Sequence, residues 1–475
     1  MPMCTEMQQS PYDSSLVACP TIVVSGNKTI PSLYPNNRTF FDNYILLIAP
    51  KIGIAFMTPP YGGHACLGLH PRLLEGVNFV DNVDAMAAQL QTKDDSGHLA
   101  YLDGLRGLAA LYVVLFHAIA ISVPAKKMVT APPIFRPLMF GFFAVAVFIV
   151  LSGFCLMLPV ARSQEQALRG GLRAFVLRRA RRILPPYYAV LALVFVLPLL
   201  ETLLQIHHHP QHWMRAWCSY DGRYDLLAHI ALVHNLWTGW CQNILPPLWS
   251  VATEWQIYVL FALLLLPALR RWGTFAALAV SVVISLGPAY ILRSSHNLAW
   301  ACPWFVILFT FGMIGAVIAQ RQQDAPSTRM KVFLYRLALP CLVLVLLPDR
   351  ITIPAWFAFW RWDILFGLLM IWLILRVYHQ PRGASFWHLR RWLETRSVVC
   401  LGRFSYSLYL CHYLVLLMVV KLTSSYHLPP ISQATLNLAL GTPLAIMCAW
   451  MFYLIFERPF LSNSAWSQQR LHKER

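Results

Sequence analysis

Ten apolar stretches, each with room for roughly 17 to 25 residues of helix, follow one another from about residue 105 onward. They centre near Val114, Phe148, Leu193, Tyr258, Val282, Phe309, Val343, Leu369, Leu414 and Ala445. Hydrocarbon offers no water to an exposed peptide group, so each stretch must satisfy its own backbone, and a helix does that within one segment. The expected fold is therefore all-α, a polytopic integral membrane protein with about ten transmembrane helices. Composition agrees: the chain is 58% hydrophobic and only 12% charged, with a mean hydropathy of +0.54, far from a soluble domain of this size.

The formal charge of +18 invites a nucleic-acid reading. Lys and Arg, however, lie between the apolar runs and are not massed in a patch interleaved with aromatics, so no nucleic-acid partner is expected. Topology explains them better. With a cytoplasmic N-terminus, the loops near 161–182, 270–272, 320–336 and 376–403 and the tail from 457 hold 23 Lys and Arg, against about nine in the opposite loops. Both termini are expected in the cytoplasm and membrane lipid around the spans. The segment 226–240, LLAHIALVHNLWTGW, is short and carries His229, His234 and Asn235, and is read as interfacial or re-entrant.

Residues 1–97 lack strong periodicity, a basic leader and a long apolar run, so no secretory signal is expected there. They read as an N-terminal extension of unknown role, a poorly ordered tail or a start placed upstream of Met86, more readily than as a small cytoplasmic appendage. A membrane domain over 98–461 and a cytoplasmic tail over 462–475 complete the expected organisation.

Eleven cysteines are scattered without metal-ligand spacing, and the run IHHHPQHW at 206–213 is broken by Pro210, so no metal site is expected. Cys218 and Cys241 fall on the same expected outer side, and a bridge between them is left open.

Within the first span, Arg106 and His117 stand eleven residues apart. At about 100° per residue they share one helix face roughly 16 Å apart, and ionisable groups at such depth usually face a cavity that serves a substrate or ion. Rise along the helices puts His117, His412 and Glu254 at one level, about 18 Å from the inner surface. Arg178, Arg179, Arg181 and Arg182 crowd the inner mouth of the third span. Positive-inside anchoring would account for them, yet guanidinium forks also suit phosphates. Ser152 and Gly153 are read first as small residues of a helix crossing.

Five ordered blocks carry a resemblance: YLDGLRGLAALYVVLFHA at 101–118, FFAVAVFIVLSGFCL at 142–156, RRARRILPPYY at 178–188, PPLWSVATEWQIYVLF at 246–261 and LGRFSYSLYLCHYLV at 401–415, closed by FERPF at 456–460. Residues from about 99 to 461 resemble acyltransferase family 3, polytopic membrane O-acyltransferases that act on carbohydrates. The resemblance implies that His117 is the essential histidine with Arg106 its partner, that Glu254 fills the family's acidic position, and that Arg179 and Arg182 contact the donor. His412 joins the catalytic set either as a residue that orients the reacting groups or as a structural partner among Tyr406, Tyr409 and Tyr413. Glu254 would orient a histidine or bind the acceptor hydroxyl. No permanently bound cofactor is implied; acyl-CoA, as acetyl-CoA, would be the donor substrate.

The expected activity is transfer of an acyl group, acetyl first, from acyl-CoA to a hydroxyl of a cell-surface or lipid-linked polysaccharide. His117 would serve as general base, its ordinary pKa near 6.5 letting it accept a hydroxyl proton at neutral pH. The expected location is the cell membrane, multi-pass, which is the inner membrane in a Gram-negative cell. Polysaccharide-assembly proteins are partners this leaves open. Two rivals remain: a transporter or exporter, disfavoured because no inverted repeat or paired broken helices are visible, and an O-acyltransferase acting on a small secondary metabolite.

Overall fold

The computed structural model describes residues 99–123, 132–203, 223–237, 239–291, 298, 301–321, 360–378 and 386–461. The N-terminal extension, the span expected near Val343, the histidine run at 206–213, Cys218 and the tail lie outside them. Apart from Leu99 and Leu203, the described residues belong to one compact unit. They form helices and connecting turns, with no strand among them.

In chain order the helices are α1 (Ala100–Ala120), α2 (Phe142–Arg162), α3 (Gly171–Leu203), α4 (Arg223–Ile230), α5 (Trp249–Leu260), α6 (Leu266–Trp272), α7 (Thr274–Ile291), α8 (Phe305–Arg321) and α9 (Trp360–Tyr378). They continue as α10 (Trp387–Leu393), α11 (Arg396–Arg403), α12 (Ser405–Leu422), α13 (Pro430–Leu436) and α14 (Thr442–Phe452). A π turn at Phe261–Leu265 joins α5 to α6, and another at Asn437–Gly441 joins α13 to α14.

Among the described residues six helices are long and apolar enough to cross a membrane: Ala100–Ala120, Pro133–Arg162, Gly171–Leu197, Pro246–Trp272, Ser405–Leu422 and Pro430–Leu461. Each contains one of the expected span centres. The centres at Val282 and Phe309 fall instead on shorter apolar helices, Thr274–Pro288 and Phe305–Arg321, and that at Leu369 falls on α9. Among the described residues six candidate spans therefore stand at six of the ten expected centres, and the centre at Val343 lies outside the described residues. Segment 226–240 forms no span: α4 ends at Ile230, Leu232 turns the chain at φ +54°, and a 3-10 turn follows at His234–Leu236.

Helix α8 is apolar all round and buried along most of its length, which makes it the central post of the unit. It crosses α2 at reciprocal glycines. A Cβ on Gly153 would strike the Phe309 carbonyl, and one on Gly312 would strike the Val150 carbonyl and the Phe154 amide. Backbones that close require small residues, the usual device where lipid removes the hydrophobic drive between helices.

The second such crossing concerns the LDGLRG run of α1, which packs against the short helix α11. A Cβ on Gly104 would meet the Leu393 carbonyl, one on Gly107 the Gly402 amide, and one on Gly402 the Asp103 carbonyl. The glycines flanking Arg106 are there for packing. They fix the start of α1, and with it the position of the guanidinium.

Helix α3 runs through Pro185 and Pro186, which carry no N–H and so free the carbonyls four residues back from their helical donors. Its tyrosines tie it to the rest: Tyr187 Oη donates to the His229 carbonyl at 2.9 Å, and Tyr188 Oη to the Ile230 carbonyl at 2.8 Å. From α12, Tyr406 Oη donates to the Ile183 carbonyl at 2.9 Å. These bonds hold the arginine-bearing end of α3 in register with the bundle.

Candidate active site

The side chains of His117 on α1 and His412 on α12 meet, with His412 Nε2 3.1 Å from His117 Nδ1 and ring centroids 4.9 Å apart. Each Nδ1 also faces a carbonyl one helical turn back: His117 that of Val113 at 3.0 Å, His412 that of Leu408 at 3.1 Å. A carbonyl only accepts, so both Nδ1 atoms carry the proton. In a neutral pair His412 Nε2 is then bare and accepts from His117 Nδ1–H, which it shares with the Val113 carbonyl. The tautomers are assigned from this network. It leaves one consequence, a free lone pair on His117 Nε2.

Aromatic rings enclose the pair. Tyr413 meets His117 edge-on at 5.4 Å between centroids, and Tyr409 lies 5.7 Å from His412. Tyr409 is itself pinned, with its Oη 2.6 Å from Ser250 Oγ and 3.0 Å from the Pro247 carbonyl. His412 is fully buried, while His117 is partly exposed. The expectation from helix rise alone, that these two imidazoles lie at one level, therefore agrees with direct contact.

Glu254 on α5, expected to orient a histidine or to bind the acceptor hydroxyl, is held by two hydroxyls of the protein. Its Oε1 accepts from Ser152 Oγ at 2.7 Å and from Tyr258 Oη, and Tyr258 also approaches Ser152 Oγ at 3.3 Å. Among the described residues its hydrogen bonds go to these two hydroxyls, and neither histidine is its partner. The SGF run thus divides its labour: Gly153 packs against α8, and Ser152 faces Glu254.

Arg106 forms an ion pair with Asp103 at 3.3 Å and is 20% exposed. It lies within electrostatic reach of Tyr258 and Glu254. So does Arg179, which also feels Arg106 and Arg182 and whose Nε is buried without a hydrogen-bond partner. Arg182 reaches toward Glu457, whose carboxylate is held by the Ser407 amide at 3.2 Å and Ser407 Oγ at 2.5 Å. Arg106 and Arg179 thus lie within electrostatic reach of Glu254, and Arg182 within reach of Arg179 and Glu457. Tyr409, within reach of Glu254 as well as His412, joins that basic group to the imidazole pair.

Sequence reasoning missed Tyr258 and did not connect Ser152 to Glu254. Tyr258 had a signal: it stands four residues after Glu254, the spacing at which helix side chains meet. Ser152 had none, since its partner lies 102 residues away. No cluster of three or more His, Cys, Asp or Glu with metal-holding geometry occurs among the described residues.

A helical membrane unit with an imidazole pair linked to a basic end defines a narrow class. The family model described as an acyltransferase domain, that of acyltransferase family 3, matches residues 99–454, and the chain belongs to that family. Among curated relatives, a Staphylococcus aureus (strain COL) protein named "Putative O-acetyltransferase" is 24% identical over 396 residues, covering 76% of this chain and 56% of its own length. "Peptidoglycan O-acetyltransferase OatA" of Listeria monocytogenes is 26% identical over 206 residues, 41% of this chain and 28% of its own length. "Putative membrane-bound transacylase BcsY" of Komagataeibacter xylinus is 30% identical over 208 residues, 41% of this chain and 44% of its own. The chain spans little more than half the length of the first of these relatives. No solved structure matches it.

Proposed function

We propose that this protein is a membrane O-acyltransferase that moves an acetyl group from acetyl-CoA to a hydroxyl of a cell-surface or lipid-linked polysaccharide. The observation that carries the reading is the imidazole pair, in which His412 and the Val113 carbonyl hold the His117 Nδ1 proton and leave Nε2 as a base. Membership of the family and the names of its relatives support the reaction class.

In the proposed reaction the acceptor O–H gives its proton to His117 Nε2 as its oxygen attacks the thioester carbonyl. The tetrahedral intermediate collapses with loss of the thiolate of coenzyme A, which takes the same proton back from Nε2–H. The proton count closes without any outside donor. A positioned base of this kind contributes about 10²–10⁴ in rate.

Arg106, Arg179 and Arg182 supply the donor end: three guanidinium groups in one neighbourhood suit the phosphates of coenzyme A. Glu254, held on Oε1 by two hydroxyls, keeps Oε2 available to order the nearest arginine or a substrate hydroxyl. With ten spans and both termini cytoplasmic, the basic loops and the donor lie in the same compartment, where coenzyme A is found. Polysaccharide-assembly proteins are the natural partners, since they bring the acceptor.

The test is the ester content of envelope polysaccharide from cells with and without the gene, read by mass. An acetyl increment that disappears on deletion, returns with the wild-type gene and does not return with His117→Ala supports the reading. An unchanged increment after deletion overturns it.

A further inference from the structure

The helix that carries His412 starts without a local cap. Phe404 stands at its N-cap, where it offers no side-chain acceptor, so the first amides of α12 need partners from elsewhere. One comes from 50 residues further along the chain. Glu457 Oε2 accepts from the Ser407 amide at 3.2 Å and from Ser407 Oγ at 2.5 Å, and both residues are buried. A carboxylate suits that place, since a helix start carries the positive end of its dipole. Glu457 reaches it from a π turn, Tyr453–Glu457, that follows α14, a wider turn often found at functional sites.

The neighbour of Ser407 ties the same turn to a third element. Tyr406 Oη donates to the Ile183 carbonyl at 2.9 Å, and Ile183 follows Arg182 on α3. Arg182 lies within electrostatic reach of Glu457, and Tyr406 within reach of both Glu457 and Glu254. The first turn of α12 is thus where α3, α12 and the π turn after α14 meet. His412 stands five residues beyond Ser407 on the same helix, about 7.5 Å of rise.

One carboxylate therefore acts in two directions. Its hydrogen bonds fix the height and rotation of α12, and with them the point where His412 Nε2 meets His117 Nδ1. Its charge favours a guanidinium held in place, and a side chain ordered in advance loses less freedom when a phosphate binds. We propose that Glu457 is a positioning residue for acyl transfer, holding His412 through Ser407 and holding Arg182 for the donor through its charge. This rests on the acyl-transfer reading above and brings the end of the last helix into it. A carboxylate that only capped a helix would set stability and leave donor affinity and turnover alone.

The test uses the full-length protein in nanodiscs and reads two quantities: the affinity for coenzyme A, and the kcat for transfer of labelled acetyl from acetyl-CoA to an oligosaccharide of N-acetylglucosamine. Glu457→Ala removes both interactions and is expected to weaken CoA binding and to lower kcat, each about tenfold, the worth of one hydrogen bond at the upper end of its range. Glu457→Gln keeps an acceptor for Ser407 and loses the charge, so kcat should return to within about threefold of wild type while CoA stays about tenfold weaker. Ser407→Ala keeps the charge and should lower kcat about tenfold with CoA affinity within about twofold. The last two variants decide the matter if Glu457→Ala does not fold. Glu394→Gln, which takes a partly exposed carboxylate from Arg390, should leave both quantities within about twofold. Wild-type CoA affinity in Glu457→Gln, or wild-type kcat in Ser407→Ala, overturns the positioning role and leaves the acyl-transfer reading standing. Failure of the wild-type protein to transfer acetyl at all overturns that reading and the role with it.

Discussion

His412 Nε2 sits 3.1 Å from His117 Nδ1, and each imidazole hands its own Nδ1 proton toward a carbonyl one turn back on its helix. The geometry makes His412 a positioning residue. It fixes the tautomer that frees His117 Nε2, and it can share the charge once that nitrogen takes a proton.

Replacing His412 should therefore mimic much of the loss of His117 without touching the donor. His412→Ala is expected to lower kcat by about 10²–10³, within the range of general-base catalysis, with CoA affinity unchanged. His412→Gln, which can keep an acceptor near His117 Nδ1, should recover part of the loss. Steady-state kinetics with a CoA-binding control check this; a kcat within twofold of wild type for His412→Ala would contradict it.

Glu254 is held by two hydroxyls, and removing one tests whether its placement matters. Tyr258→Phe deletes a hydrogen bond to a carboxylate, worth about 1.5–3 kcal/mol, and should lower turnover at least about tenfold while the protein still folds. The same substitution leaves turnover unaltered if Glu254 is only a packing residue. Comparing Tyr258→Phe, Ser152→Ala and the double variant separates the two hydroxyls.

Packing at the α1–α11 crossing should be equally sensitive. Gly107→Leu places a side chain where the Gly402 amide already lies, an overpacking that costs about 1–3 kcal/mol or more. Size-exclusion thermostability in detergent should show a clear loss. Gly273→Leu is a poor control because of its φ of +86°; Thr435→Ala on the exposed face of α13 is a better one.

Between the spans, His229 and His234 stack at 3.8 Å with planes 9° apart, both buried. Burial first, and then the neighbouring His229, pushes the His234 imidazole down to about 3. Its ordinary pKa is near 6.5, so below that the unfolded chain binds a proton that the folded chain refuses. Stability from this group is whole above about 6.5 and is lost as pH falls from there toward 3. Melting at pH 7.5 and 5.0 should show the acid value lower, and His234→Phe should narrow the gap.

Much of this was legible in the sequence because one number, the rise per residue, decides it. Depth along each helix brought His117 and His412 to one level without any knowledge of packing, and eleven residues put Arg106 on the same face of α1. Pairings across the bundle were not legible. Nothing local tells Ser152 that its partner is Glu254, and the run 396–403 read as part of a basic loop although its Gly402 is what Gly107 packs against. The helices at Val282 and Phe309 are apolar but shorter than the six candidate spans, while the α9 stretch carries Arg361, Asp363 and Arg376, which lower its apolar signal.

The central claim is that His117 Nε2 takes the acceptor's proton while the thioester is bound at the basic end. Single-turnover transfer of labelled acetyl from acetyl-CoA to oligosaccharide, by the purified protein in nanodiscs, tests it most directly when wild type and His117→Ala are compared at saturating donor. The account predicts a loss of at least about 10²-fold in the transfer rate, with bound acetyl-CoA undiminished. Transfer at the wild-type rate by His117→Ala would contradict it.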